Sequence, residues 1–237
     1  MDIEVVCGDV FEVKSDLLLM KYADVGGGVH RKAAALLMER KLCTPADLCP
    51  APGQAVFIDS PPGLGPAAMM FLGIGELFDF GYAEMKRFAE RAIELLAARR
   101  PAVSHVTTTI HGVGYGLDAA EAVQNLVLGF TEGIRKHFFA PGVSLNRITI
   151  IDRDASRVRV MSTALAALAL LHSKDMFAGR STEPRTVYQF VEEDRTEAPP
   201  APLEPADDDP PGSNVEHEDA AHPLTRHQKP CVEWQYE

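Results

Sequence analysis

The 237-residue chain has little of what would place it at once. Its four cysteines, Cys7, Cys43, Cys49 and Cys231, form no Cys-x-x-Cys pair, which argues against a disulfide-dense scaffold or a common zinc knuckle. Cys43 and Cys49 flank a Thr-Pro turn and are near enough in sequence to bridge, but free buried thiols in a reducing compartment fit this cysteine usage better. The most apolar window, residues 160–171, is shorter than the ~20 residues of a membrane helix and contains Ser162 and Thr163. Residues 1–6 have no basic start. No signal peptide and no membrane partner are therefore expected, and the protein reads as cytoplasmic. There is no internal repeat.

A basic excess is missing too. The net charge is −11, but it is unevenly spread. From Glu192 onward there are 13 acidic and 3 basic residues, a net of −10, which leaves −1 for residues 1–191. A near-neutral body argues against duplex nucleic acid as a partner, because phosphate neutralisation needs clustered Lys and Arg. The acidic end is also rich in proline, with Ala-Pro-Pro-Ala-Pro at 198–202 and three consecutive Asp at 207–209. Such a segment cannot bury enough apolar surface to fold alone. Two regions are expected: a folded domain over 1–191 and a disordered acidic tail or linker over 192–237. The tail is expected to dock a protein partner or a downstream domain.

What the body does contain is alternation. Apolar runs at 3–6, 16–20, 54–59, 67–74, 105–110 and 147–151 read as strands. Helical spacing appears over 29–41, 82–99, from about 118, and over 158–171. Strands alternating with helices over such connections predict an α/β fold, a three-layer α/β/α sandwich around a mostly parallel mixed sheet. Ligands in such folds bind at the carboxyl ends of the strands. Two glycine clusters fall there. Gly26-Gly27-Gly28, followed by a helix from Val29, offers backbone N–H groups and a positive helix end to an anion. His111-Gly112-Val113-Gly114-Tyr115-Gly116 also leads from strand to helix and adds a ring able to cover a sugar.

In this order the motifs resemble the macro domain. Cys7-Gly8-Asp9-Val10 is similar to the Gly-Asp-Ile/Val turn that opens that family, and the resemblance implies that Asp9 accepts a hydrogen bond from an adenine amino group. Residues 16–20 followed by Gly26-Gly27-Gly28-Val29 resemble its first strand-and-glycine loop. His111 to Gly116 followed by Glu121-Ala122 resembles its second, phosphate-wrapping loop, and residues 148–154 its last strand and acidic turn. The resemblance spans about residues 1–170. The amino-terminal domain of leucine aminopeptidases shares the architecture, and Phe71-Leu72-Gly73-Ile74-Gly75 looks like one of its strands.

The chain also departs from the pattern. Many macro domains carry Asn-Ala-Ala-Asn after the second strand, where this chain has Met20-Lys21-Tyr22-Ala23-Asp24. Asp24 can accept from a ribose hydroxyl but would repel a phosphate. Asp152 and Arg153 stand where an aromatic residue often stacks on adenine. The expected ligand-binding set is Asp9, Val10, Asp24, Gly26, Gly27, Gly28, Val29, His111, Gly112, Val113, Gly114, Tyr115, Gly116 and Asp152. ADP-ribose or a related nucleotide is the expected ligand, with no cofactor, no bound metal and no catalytic residue. Hydrolysis of ADP-ribosyl groups is the enzymatic alternative, and an empty architectural domain is the third reading. His30 reads as a solvated residue of the first helical turn. His217, His222, His227 and Cys231 match no common zinc spacing. The run Thr107-Thr108-Thr109 reflects strand propensity, not a nucleophile.

Overall fold

The computed structural model describes residues 1–23, 28–137, 144–175 and 187–188. The expectations placed on Asp24, Gly26, Gly27, the boundary at residue 191 and the acidic tail lie outside these residues. In chain order the elements are β1 (Asp2–Cys7), β2 (Leu17–Tyr22), α1 (Val29–Glu39), β3 (Ala55–Asp59), β4 (Ala68–Gly73), α2 (Tyr82–Arg99), β5 (His105–Thr109), α3 (Ala119–His137), β6 (Arg147–Asp152), α4 (Ala155–Asp175) and the two-residue β7 (Val187–Tyr188). The strands form one sheet in the order β3-β4-β2-β5-β6-β1-β7. Among the described residues, only the β3–β4 pairing is antiparallel. The expected three-layer α/β architecture is present.

Strand alternation assigns the two faces. Leu17 and Leu19 pack with α2, α3 and α4, whereas Leu18, Met20 and Tyr22 pack with Ala33, Ala34 and Leu37 of α1. Every position of β2 and β4 is buried, as expected of strands covered on both sides. On the three-helix face, α2 and α3 approach closely because α3 presents glycine. A Cβ at Gly129 would lie 2.2 Å from the Lys86 carbonyl oxygen, and one at Gly133 would lie 2.8 Å from the Ile93 Cβ.

Element ends follow local chemistry. α1 stops where Lys41 adopts a left-handed φ of 56°. Lys41 N–H then donates to the Met38 carbonyl at 2.9 Å and Leu42 N–H to the Leu37 carbonyl at 3.0 Å, the paired closure of a Schellman turn. α4 begins at residue 155 rather than 158, because Asp154 caps it. Its Oδ1 accepts from the Ser156 N–H at 2.8 Å and the Arg157 N–H at 3.3 Å. Cys7 and Cys43 are free. Among the described residues, no helix is long and apolar enough to cross a membrane.

Candidate functional site

Because β1, β2, β5 and β6 run parallel, their carboxyl ends open on one edge. A cavity of about 380 Å³ occupies that edge. Of the expected residues, Asp9, Val10, Gly28, Val29, His111, Gly112, Gly114, Tyr115 and Asp152 line it. Val113 and Gly116 belong to the same short turn but do not line the cavity. The cavity also gathers Lys21, His30, Lys32, Arg153 and Arg157, which the sequence reading did not select. An almost neutral body thus concentrates basic groups at one opening.

The glycines differ in what they do. Gly112 has φ 83°, and a Cβ there would sit 2.3 Å from Leu117 Cδ1, so its role is backbone geometry and packing. Gly28 has φ 110° where it leads into α1. Gly114 has neither constraint: no atom lies within 4 Å of its missing Cβ. A side chain at Gly114 would stand in the open space beside the cavity without disturbing the turn.

Both cavity carboxylates already have partners. Asp9 Oδ1 accepts from the Phe11 N–H at 3.0 Å, and Oδ2 pairs with Arg153 and lies 3.8 Å from Lys32 Nζ. Burial opposes ionisation of Asp9, but the Phe11 N–H, Arg153 and Lys32 together hold its carboxyl below the usual range. Asp152 receives Arg157 through two bonds, Nε to Oδ2 at 2.9 Å and Nη2 to Oδ1 at 2.8 Å, and its Oδ1 also accepts from the Asp154 N–H at 2.8 Å. Expected as a ligand contact, Asp152 is committed to fixing the β6–α4 turn.

The opposite end of the cavity, formed by β2 and β5, is built differently. Lys21 extends the alternation of Leu17 and Leu19, which turns it toward the α2–α3 face, and it is 8% exposed. Its ammonium lies 4.7 Å from the centre of the Phe80 ring and 5.4 Å from that of Tyr115. Burial lowers its pKa to about 8. His30, expected in solvent, is instead 7% exposed and sits edge-on to Tyr22. Burial, then Lys21, lowers its pKa to about 4. His111 packs edge-on against Phe80 and Phe88, and burial keeps it neutral. Lys21 had a readable signal, a charged residue directly extending the apolar run of a central strand. His30 had none, since helical spacing shows a helix's buried face but not which end is capped by neighbouring strands. Among the described residues, no group of His, Cys, Asp and Glu could hold a metal ion.

No protein-family model matches the chain, and no curated protein matches it. Its fold is a divergent macro domain-like fold. The Trypanosoma brucei macrodomain solved in complex with ADP-ribose aligns with 69% of this chain and 68% of its own, at 13% identity and a TM-score of 0.51. The Oceanobacillus iheyensis macrodomain with MES bound aligns with 70% of this chain and 92% of its own, at 14% identity and a TM-score of 0.50. At such identities the likeness is one of fold.

Proposed function

We propose that the cavity binds ADP-ribose or a closely related nucleotide, and that the domain is a binding module without turnover. The observation that carries this reading is the position of the cavity. It lies at the carboxyl edge of a parallel sheet and is lined by Gly28 at the amino end of α1, by Gly112 and Gly114 of the turn after β5, and by Asp9. The ADP-ribose held by the Trypanosoma relative, which shares this fold, supports the same ligand class here. In this reading Asp9 accepts from a base amino group. Arg153, paired with Asp9 and 65% exposed, lays a planar guanidinium against the base where an aromatic ring is missing.

Absence of turnover has its own support. A general base needs an unengaged acceptor near the reacting group. Among the described residues, the two carboxylates on the cavity wall, Asp9 and Asp152, are both held by arginines. Calorimetric titration with ADP-ribose tests the binding reading, using Gly114→Glu as the control variant. The glutamate adds bulk and negative charge where a ligand phosphate would pass. It should weaken binding at least ~30-fold, about 2 kcal/mol, with an unchanged circular dichroism spectrum. Absence of binding by the wild type, or equal binding by the variant, would remove this reading.

A further inference from the structure

Five buried side-chain polar atoms lack a hydrogen-bond partner among the described residues, and three of them line this one cavity: Lys21 Nζ, His30 Nε2 and His111 Nε2. They come from three separate elements, β2, α1 and the turn after β5. Each residue is more than nine-tenths buried. A buried ammonium without an acceptor is among the costliest groups a fold can hold. The Phe80 and Tyr115 rings stabilise it partly, but they offer no lone pair. Three buried, unpartnered nitrogen groups on one cavity, whose two carboxylates among the described residues, Asp9 and Asp152, are already held by Lys32, Arg153 and Arg157, make a site for acceptor oxygens brought from outside.

We propose that Lys21, His30 and His111 form a buried receptor for one phosphoryl group of the ligand, at the end of the cavity remote from Asp9. The proposal deepens the nucleotide reading above and rests on it. Between β2 and β1 lie β5 and β6, so Lys21 on β2 and the end of β1 that leads to Asp9 are three strand spacings apart, roughly 14 Å, while α1 carries both His30 and the Lys32 that reaches Asp9. One extended ligand can place its base against Asp9 and Arg153 and a phosphoryl group against Lys21. The group can be the internal diphosphate of a dinucleotide-like ligand or a terminal phosphate.

Such a receptor couples binding to protonation. Among the described residues, the groups facing Lys21 are His30 from α1, His111 and Tyr115 from the turn after β5, and the Phe80 ring. Of the other charged groups on the cavity wall, Asp9 is paired with Lys32 and Arg153, and Asp152 with Arg157. Burial alone lowers Lys21 from the usual 10.5 to about 8. An arriving phosphoryl anion favours the ammonium and restores the higher value. At pH 7 the free site already carries its proton, so binding takes up almost none there. At pH 9 the free amine is mostly neutral, so the complex must take up close to one proton, and affinity falls about tenfold.

Calorimetry of the full chain with ADP-ribose, at pH 7 and pH 9 in buffers of different ionisation heat, measures that uptake directly. Close to one proton at pH 9 and almost none at pH 7 is expected. Lys21→Met should bind at least ~30-fold more weakly at pH 7, show no uptake at pH 9, and still melt at or above the wild-type temperature. Adenosine, which has no phosphoryl group, should bind both proteins alike. Comparing the Lys21→Met losses for ADP and ADP-ribose distinguishes a terminal from an internal phosphoryl contact. ADP-ribose binding with no proton uptake at pH 9 and no loss in Lys21→Met overturns the receptor but leaves the nucleotide reading. If ADP-ribose does not bind, inorganic pyrophosphate decides. Pyrophosphate binding with uptake that Lys21→Met abolishes keeps the receptor and removes the nucleotide reading, whereas no pyrophosphate binding removes both.

Discussion

Asp16 stands just before β2 and Lys21 near its end, and the sheet treats their charges in opposite ways. Asp16 Oδ2 accepts three hydrogen bonds, from the Ser104 N–H at 2.8 Å, the Ser104 hydroxyl at 2.7 Å and the His105 N–H at 3.0 Å. The pairing continues inward. His105 Nε2 lies 2.9 Å from Thr149 Oγ1, and the Thr149 hydroxyl donates to Glu4 at 2.7 Å. Five residues further along the chain, the Lys21 ammonium has no hydrogen-bond partner among the described residues, nor do the Nε2 atoms of its neighbours His30 and His111. One edge of the sheet uses part-buried, paired polar groups to tie strands together. The other leaves Lys21, His30 and His111 unpaired among the described residues, at a cost in stability that a ligand can offset.

The sharpest way to break that comparison is to remove the paired charge. Asp16→Ala leaves two backbone donors and a hydroxyl without their acceptor and unties the start of β2 from the start of β5. The Ser104 contacts, which lead, hold the Asp16 carboxyl below its usual range. The variant should lose roughly 4 kcal/mol of stability in urea denaturation. A loss below about 1 kcal/mol would mean that the amino edge is not the stabilising half.

A smaller effect comes from acid. Burial, then Lys21, holds His30 near 4, against an ordinary 6.5. The folded state therefore binds fewer protons than the unfolded chain between these values. Stability contributed by the neutral ring is complete above pH 6.5 and is lost as pH falls toward 4, about 3 kcal/mol in all at ~1.4 kcal/mol per pH unit. His30→Gln should flatten the stability profile between pH 6.5 and 4 relative to the wild type. Parallel profiles would place His30 in solvent, as the sequence suggests.

The contrast between the edges also separates what the sequence reveals from what it hides. The frame was legible. Short apolar runs and glycine breaks marked β1 to β6 to within a residue or two, though not the two-residue β7, and the apolar stripe through Met85, Phe88, Ala92 and Leu96 marked α2. The cavity's position followed from glycine loops at strand ends. The receptor residues were hidden for a physical reason. Whether Lys21 is a solvated strand exit or a buried cation depends on Phe80 and Tyr115, 59 and 94 residues further along the chain. His30 is covered only when α1 docks against its sheet. Asp152 lines the cavity as expected, but its bidentate pairing with Arg157 could not be read from the sequence. Net charge misled, because a domain total of −1 conceals cations gathered at one opening.

Replacing Lys21 with methionine, which is unbranched and of similar length, removes the unpaired charge while keeping the packing. Thermal melting of the wild type and Lys21→Met, each with and without ADP-ribose, tests the account most directly. Without ligand, Lys21→Met should melt higher, by about 2 kcal/mol or roughly 6 °C for a domain of this size, while saturating ADP-ribose should raise the wild type more than the variant. A lower melting temperature for ligand-free Lys21→Met, together with an equal ligand shift in both proteins, would contradict the claim that the carboxyl edge gives up stability to receive an anion.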